Sequence, residues 1–234
     1  MSIALALIPC VIIAYIIKER VHHLKHMQLI SGVSLPAYWL SNLIADIAKT
    51  FVPMLISLVL MGIYGVEDDG AWILLMLYPL AIVPFTYLTS FAFSNDTVAQ
   101  IMTIFLHFLF GAIAPIVVIT LQTIESTAKT GDSLRYAFTI VPTYCVGHGL
   151  IAGAISSSLS QLRGAYIAEE TLKGEETLPE LSSDAYALVN VGGDILMMLV
   201  IAAFCTLVLF VVEADIFQCC SRCSIFSQPP PRLV

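Results

Sequence analysis

The feature that most constrains this chain is the recurrence of long apolar stretches, at 36–64, 71–93, 97–121 and 191–212. At 1.5 Å of helix per residue, each is long enough to cross the roughly 30 Å of hydrocarbon in a bilayer. Hydrocarbon offers the backbone no hydrogen-bond partners, so such stretches fold as helices. Composition agrees: 59% of the 234 residues are hydrophobic and 12% are charged, against roughly half and a quarter in soluble domains. The chain reads as one all-α, integral, multi-pass membrane domain, with nothing to say which membrane holds it.

The stretch before these, Ile3 to Ile17, has only 15 apolar residues and no basic residue ahead of it. That fits neither a signal peptide nor a full span. It reads as the end of a first span, 1–17; either the chain begins partway through a larger unit or Met1 is its genuine start. In the next segment, 18–33, Val21, Leu24, Met27 and Ile30 recur every third residue, which is one face of a helix. The other face carries Lys18, Arg20, His22, His23, Lys25 and His26. An amphipathic helix along the membrane surface is expected, closed by a left-handed turn at Gly32 and cytoplasmic by the positive-inside rule.

Pro36 reads as the first turn of the next helix, with a kink allowed at Pro53. Residues 65–70 form an acidic turn, and Asp96 is placed to cap the helix over 97–121. The region 122–190 departs from the pattern. Its apolar part is broken by Pro142, Gly147 and Gly149, so 134–156 is expected to form two short helices of a re-entrant hairpin, followed by an acidic loop over 157–190. A last span, 191–212, leads to a cytoplasmic tail, 213–234. The sum is about five transmembrane helices, one surface helix and one hairpin.

Few residues carry candidate chemistry. Asp46 and Lys49 are one helical turn apart inside a span, where ionisable groups are costly and often functional; their spacing also lets them pair with each other. His107 is the other ionisable residue expected deep in a span, and an inter-helix hydrogen bond is its simplest role. Cys10 and Cys205 read as buried thiols. Cys219, Cys220 and Cys223 follow the last span without the partners of a zinc tetrad, so they are inert or carry reversible palmitoylation. No catalytic triad, paired carboxylate or metal motif is present, and no basic, aromatic-interleaved surface offers itself to nucleic acid.

Two segments carry a resemblance beyond composition. Glu19-Arg20-Val21-His22-His23-Leu24-Lys25-His26-Met27-Gln28-Leu29-Ile30-Ser31-Gly32-Val33, with Tyr38-Trp39-Leu40-Ser41-Asn42 and Asp46, resembles the second transmembrane domain of A-subfamily ABC transporters, although Ala45 stands where that family usually has Trp. Val141-Pro142-Thr143-Tyr144-Cys145-Val146-Gly147-His148-Gly149-Leu150-Ile151 is similar to the family's stretch between its fifth and sixth helices, with His148 in place of the usual Arg.

The resemblance implies an ABCA- or ABCG-like exporter fold lacking its first helix and ectodomain. It makes 18–33 a coupling helix, with Glu19, Arg20, Lys25, Gln28, Ser31 and Gly32 as its contact residues. It also implies export of lipids or related amphiphiles, driven by ATP and Mg on nucleotide-binding domains. This chain has no Gly-x-x-x-x-Gly-Lys-[Ser/Thr] loop to hold a triphosphate. Besides the lipid bilayer, its expected partners are therefore a nucleotide-binding domain and a second transmembrane domain. The alternative is a structural subunit that braces a larger membrane complex and transports nothing.

Overall fold

The computed structural model describes residues 2–22, 24–64, 69–124, 126–155, 158 and 192–212, and all regular structure among them is helical. The elements in order are α1 (Ser2–Val21), α2 (Leu24–Ile30), α3 (Leu35–Ile63), α4 (Asp69–Ser90), α5 (Asp96–Phe108), a π-helical turn (Leu109–Ile113), α6 (Ala114–Thr123) and α7 (Ala128–Phe138). Two more follow, α8 (142–155) and α9 (Gly192–Val212). The acidic stretch from Glu169 to Asp184, the tail with Cys219, Cys220 and Cys223, and the side chains of His23, Lys25 and His26 lie outside the described residues.

Local chemistry sets the helix ends. α2 stops at Gly32, whose φ of 99° is a conformation that costs glycine nothing. Around it the Ser31 N–H reaches the Met27 carbonyl at 3.1 Å and the Val33 N–H reaches the Gln28 carbonyl at 3.3 Å, satisfying carbonyls the helix leaves open. Ser34 is extended and Pro36 follows in the first turn of α3. At the next helix start the expectation is corrected: Asn95, not Asp96, is the cap. Asn95 has the extended backbone a cap requires, and its side-chain oxygen accepts from the Thr97 N–H at 2.9 Å and the Val98 N–H at 3.3 Å. Asp96 lies in the first turn, where its charge favours the positive end of the helix dipole.

Among the described residues, four helical stretches are long and apolar enough to cross a membrane: Pro36–Ile63, Gly70–Ser90, Asp96–Thr123 and Gly192–Val212. The expected count of about five included α1, which is 20 residues long but ends in the polar run Lys18-Glu19-Arg20. The four differ in burial. In α4, 61% of the most apolar stretch is covered, against 22% in α3 and in α9 and 28% in α5–α6. α4 is the centre of the bundle: Leu74, Leu75, Tyr78, Ala81, Ile82 and Tyr87 are fully enclosed. α1 and α3 pack against it, α1 also runs along α5, and the Tyr78 hydroxyl donates to the Leu5 carbonyl at 3.1 Å.

The long α5–α6 path is not uniform. Pro115 has no N–H to give the carbonyl of Gly111, four residues earlier, and its ring would crowd that carbonyl. The chain answers with the wider π turn at Leu109–Ile113, a form that recurs as single turns within helices. The hairpin also differs from expectation in where it breaks. The turn falls at 139–141, before Pro142, and Gly147 and Gly149 lie inside α8. They serve contact: a Cβ at Gly147 would collide with the Gly111 carbonyl and crowd Pro115, and one at Gly149 would meet the end of Leu74.

Candidate functional site

Polar side chains in an apolar bundle are the places where helices are tied to each other, and here they form three groups. The first is at the end of α1. Glu19 is buried and its Oε2 accepts from the Tyr38 hydroxyl of α3 at 2.7 Å. Arg20 points the other way, donating to the carbonyls of Ser90 at 2.8 Å and Phe93 at 2.6 Å, with its guanidinium 5.8 Å from the centre of the Phe91 ring. These carbonyls are at the C-terminal end of α4, where a cation is favoured. Sequence periodicity had grouped Glu19 and Arg20 with the surface helix. The structure corrects this: α1 continues to Val21, so both belong to its last turn and face the bundle. The exposed residues of the segment include Val21, Leu24, Met27, Gln28, Ile30, Ser31 and Gly32, and the Ser31 hydroxyl donates to the Gln28 carbonyl at 2.7 Å.

The second group surrounds Asp46. Lys49 Nζ is 3.0 Å from Oδ1, and the Tyr87 hydroxyl of α4 donates to Oδ2 at 2.6 Å. Trp39 lies between Tyr38 and Tyr87, edge-on to the first and tilted to the second, with ring centroids 5.4 and 5.3 Å away. The two bonds to Asp46 are unequal. Lys49 is 70% exposed, so its ion pair is worth at most about 1 kcal/mol. A buried hydrogen bond to a charged acceptor contributes about 1.5–3 kcal/mol. Tyr87→Phe is therefore expected to lower the thermal stability of the detergent-solubilised protein clearly, and Lys49→Ala hardly at all. Equal losses would mean that Lys49 holds Asp46 as firmly as Tyr87 does and overturn the ranking.

The third group ties the α7–α8 hairpin to the bundle. His107 of α5 meets Thr143 across the helices, Nδ1 to Oγ1, at 2.6 Å. Phe138 joins Phe110 to Tyr144 edge to face. His148 Nδ1 lies 2.7 Å from Oδ2 of Asp194 on α9, and Arg135 of α7 is 3.7 Å from the other oxygen. Pro142, Gly147, His148 and Gly149 are all buried. Sequence reasoning missed Asp194 and Arg135. Asp194 is only 1% exposed, so His107 is not the only other ionisable residue enclosed in the spans. Asp194 directly follows Gly192-Gly193, in the first turn of the expected last span, 191–212, where it was not weighed among the ionisable residues of the spans. Among the described residues no three His, Cys, Asp or Glu side chains stand together to hold a metal.

An all-helical bundle of apolar spans, joined by isolated polar ties and holding no catalytic constellation among the described residues, is a multi-pass membrane domain. The chain belongs to the ABC-2 family of transporters: the family model described as ABC-2 family transporter protein matches residues 1–211. It is a transmembrane module of an ABC transporter. Its relatives are of the A subfamily. It is 29% identical over 178 residues to the retinal-specific phospholipid-transporting ATPase ABCA4 of Bos taurus, covering 72% of this chain and 8% of the relative. To the phospholipid-transporting ATPase ABCA3 of Rattus norvegicus it is 33% identical over 154 residues, covering 62% and 9%. To the ATP-binding cassette sub-family A member 2 of the same species it is 25% identical over 169 residues, covering 68% and 7%. The chain thus spans less than a tenth of the length of these relatives.

Proposed function

We propose that this module forms one side of a path for phospholipids or related amphiphiles, driven by ATP and Mg on nucleotide-binding domains and completed by a second transmembrane domain. The observation that carries this reading is the uneven burial of the spans. Around the enclosed α4, the helices α3, α5–α6 and α9 leave long apolar faces uncovered, including Val52, Ile56, Val59, Phe105, Leu199 and Phe204. Such faces suit acyl chains and a partner domain better than a polar solute. Relatives matched over this same segment are named phospholipid-transporting ATPases. α2, on the cytoplasmic side by the positive-inside rule, is the coupling helix: its exposed apolar row and Gln28 receive the movement of a nucleotide-binding domain. The α7–α8 hairpin enters from the opposite side and returns to it.

The test is reconstitution. The complete transporter, purified with its companions into phosphatidylcholine vesicles holding a fluorescent phospholipid, is expected to move label between leaflets only with ATP and Mg. Nucleotide turnover without lipid movement overturns the choice of cargo. Purification with no nucleotide-binding domain attached overturns transport itself.

A further inference from the structure

We propose that a phospholipid of the cytoplasmic leaflet enters the path at the seam between α1 and α3, with its phosphodiester on Lys49. This rests on the transport reading above and names where the path takes up its cargo. α1 and α3 both pack on α4, and among the described residues they make few contacts with each other. Across the seam between them, Lys49 Nζ of α3 lies 5.7 Å from the centre of the Tyr15 ring of α1. The depth of this pair fits a headgroup. Arg20 binds carbonyls at the end of α4, which is cytoplasmic by the placement of α2. Tyr15 is five residues before Arg20, about 7.5 Å of helix further in. The polar layer of a leaflet is roughly 5–8 Å deep, so the ammonium is at its inner edge, where a lipid's phosphodiester gives way to its chains.

Lys49 is the only cation in α3, and it is held facing out. One of its three N–H groups goes to Asp46 Oδ1 at 3.0 Å, and Tyr87 fixes the other Asp46 oxygen. The Lys49 side chain is 70% exposed and that of Asp46 8%, so the pair turns its positive end outward and keeps its negative end inside. Tyr15 is steadied in turn: its hydroxyl is hydrogen-bonded to Glu19, which also accepts from Tyr38. A cation exposed within a span is costly, and an anion that meets it there removes the cost. Toward the outer leaflet both helices turn apolar. α1 exposes Val11 and Leu7, and α3 exposes Val52, Ile56 and Val59. Each set keeps helical spacing from Tyr15 or Lys49 and continues the same face. A single cation at the cytoplasmic end of a two-helix apolar strip is the complement of an anionic headgroup whose chains run away from it.

The test measures binding to the complete transporter in a sugar-headed detergent, without ATP. The probes are a fluorescent short-chain phosphatidylcholine and a diacylglycerol with the same chains. The wild type is expected to prefer the phospholipid about tenfold, the scale of one hydrogen bond to a charged group. Lys49→Ala should lose that preference and Lys49→Arg keep it. A preference unchanged in Lys49→Ala, or absent from the wild type, overturns the site. Glycerophosphocholine, the same headgroup without chains, should compete at least about a hundredfold more weakly because it buries no apolar chain. Equal competition would put a soluble phosphate ester on Lys49 and overturn the lipid. Size exclusion covers the remaining occupant. Lys49→Ala is expected to stay assembled and to melt like the wild type. Loss of the second transmembrane domain from the complex would mean that the lysine meets a carboxylate of that domain, and overturns the proposal. Lipid movement in phosphatidylcholine vesicles separates the site from the transport reading: a wild type that binds with the preference but moves no lipid with ATP and Mg refutes transport and leaves the site standing.

Discussion

Replacing Gly147 by alanine is expected to unseat the hairpin, with a far larger loss of stability than the same change at Gly149. The added methyl at Gly147 meets the Gly111 carbonyl and crowds Pro115, both fixed by the π turn. Neither can yield without moving α5–α6, and overpacking of this kind costs about 1–3 kcal/mol. It outweighs the gain of up to about 1 kcal/mol that alanine brings to a helix. At Gly149 the methyl meets the end of a leucine side chain, which can change rotamer. Melting of the two variants in detergent reads the difference. Equal melting temperatures would mean that α8 is not seated on the π turn.

Arg20→Gln is expected to disconnect ATP use from transport while leaving a folded protein. Two hydrogen bonds from one guanidinium fasten the last turn of α1 to the end of α4, the most enclosed of the four spans. The neighbouring Glu19 fastens the same turn to α3 through Tyr38. Besides the direct link from α2 into α3 through residues 31–34, these two residues are therefore a route by which a displacement of α2 would enter the bundle. In the reconstituted transporter, lipid moved per ATP should fall about tenfold, the loss of a coupling free energy of ordinary size. Arg20→Lys, with a single ammonium in place of the fork, should restore part of it. Met27→Asp on the exposed face of α2 serves as comparison. If it uncouples and Arg20→Gln does not, the route into the bundle is a different one; if neither does, α2 is not the coupling helix.

The fold class was legible from apolar length because a membrane leaves the backbone few alternatives. Gly32, Pro36 and the pairing of Asp46 with Lys49 were legible for a similar reason: each depends on neighbours within four residues. What escaped reading depends on distance along the chain. The three-residue periodicity through Val21 ran across the junction of two helices, so Glu19 and Arg20 were placed on a surface that they do not share. Their partners are 19 to 73 residues away. Asp194 and its histidine are 46 residues apart, and no local pattern tells that an aspartate in the first turn of a span turns inward to another helix rather than outward to the headgroups. The cap at Asn95 was missed for a smaller reason, since Asn and Asp are equally good caps and only the backbone conformation decides between adjacent candidates.

The π turn at Leu109–Ile113 also has a bearing on how this segment tolerates change in length. It accommodates one more residue than an α-helix would over the same rise. Deleting a single residue there would let the path close into an α-helix of the same rise, so His107 and Ala99 before the turn and Val118 after it would keep their inward faces. A deletion elsewhere along α5–α6 would turn everything beyond it by about 100°, and either His107 would leave Thr143 or Val118 would rotate into lipid. The π turn is thus where this span should best tolerate the loss of one residue.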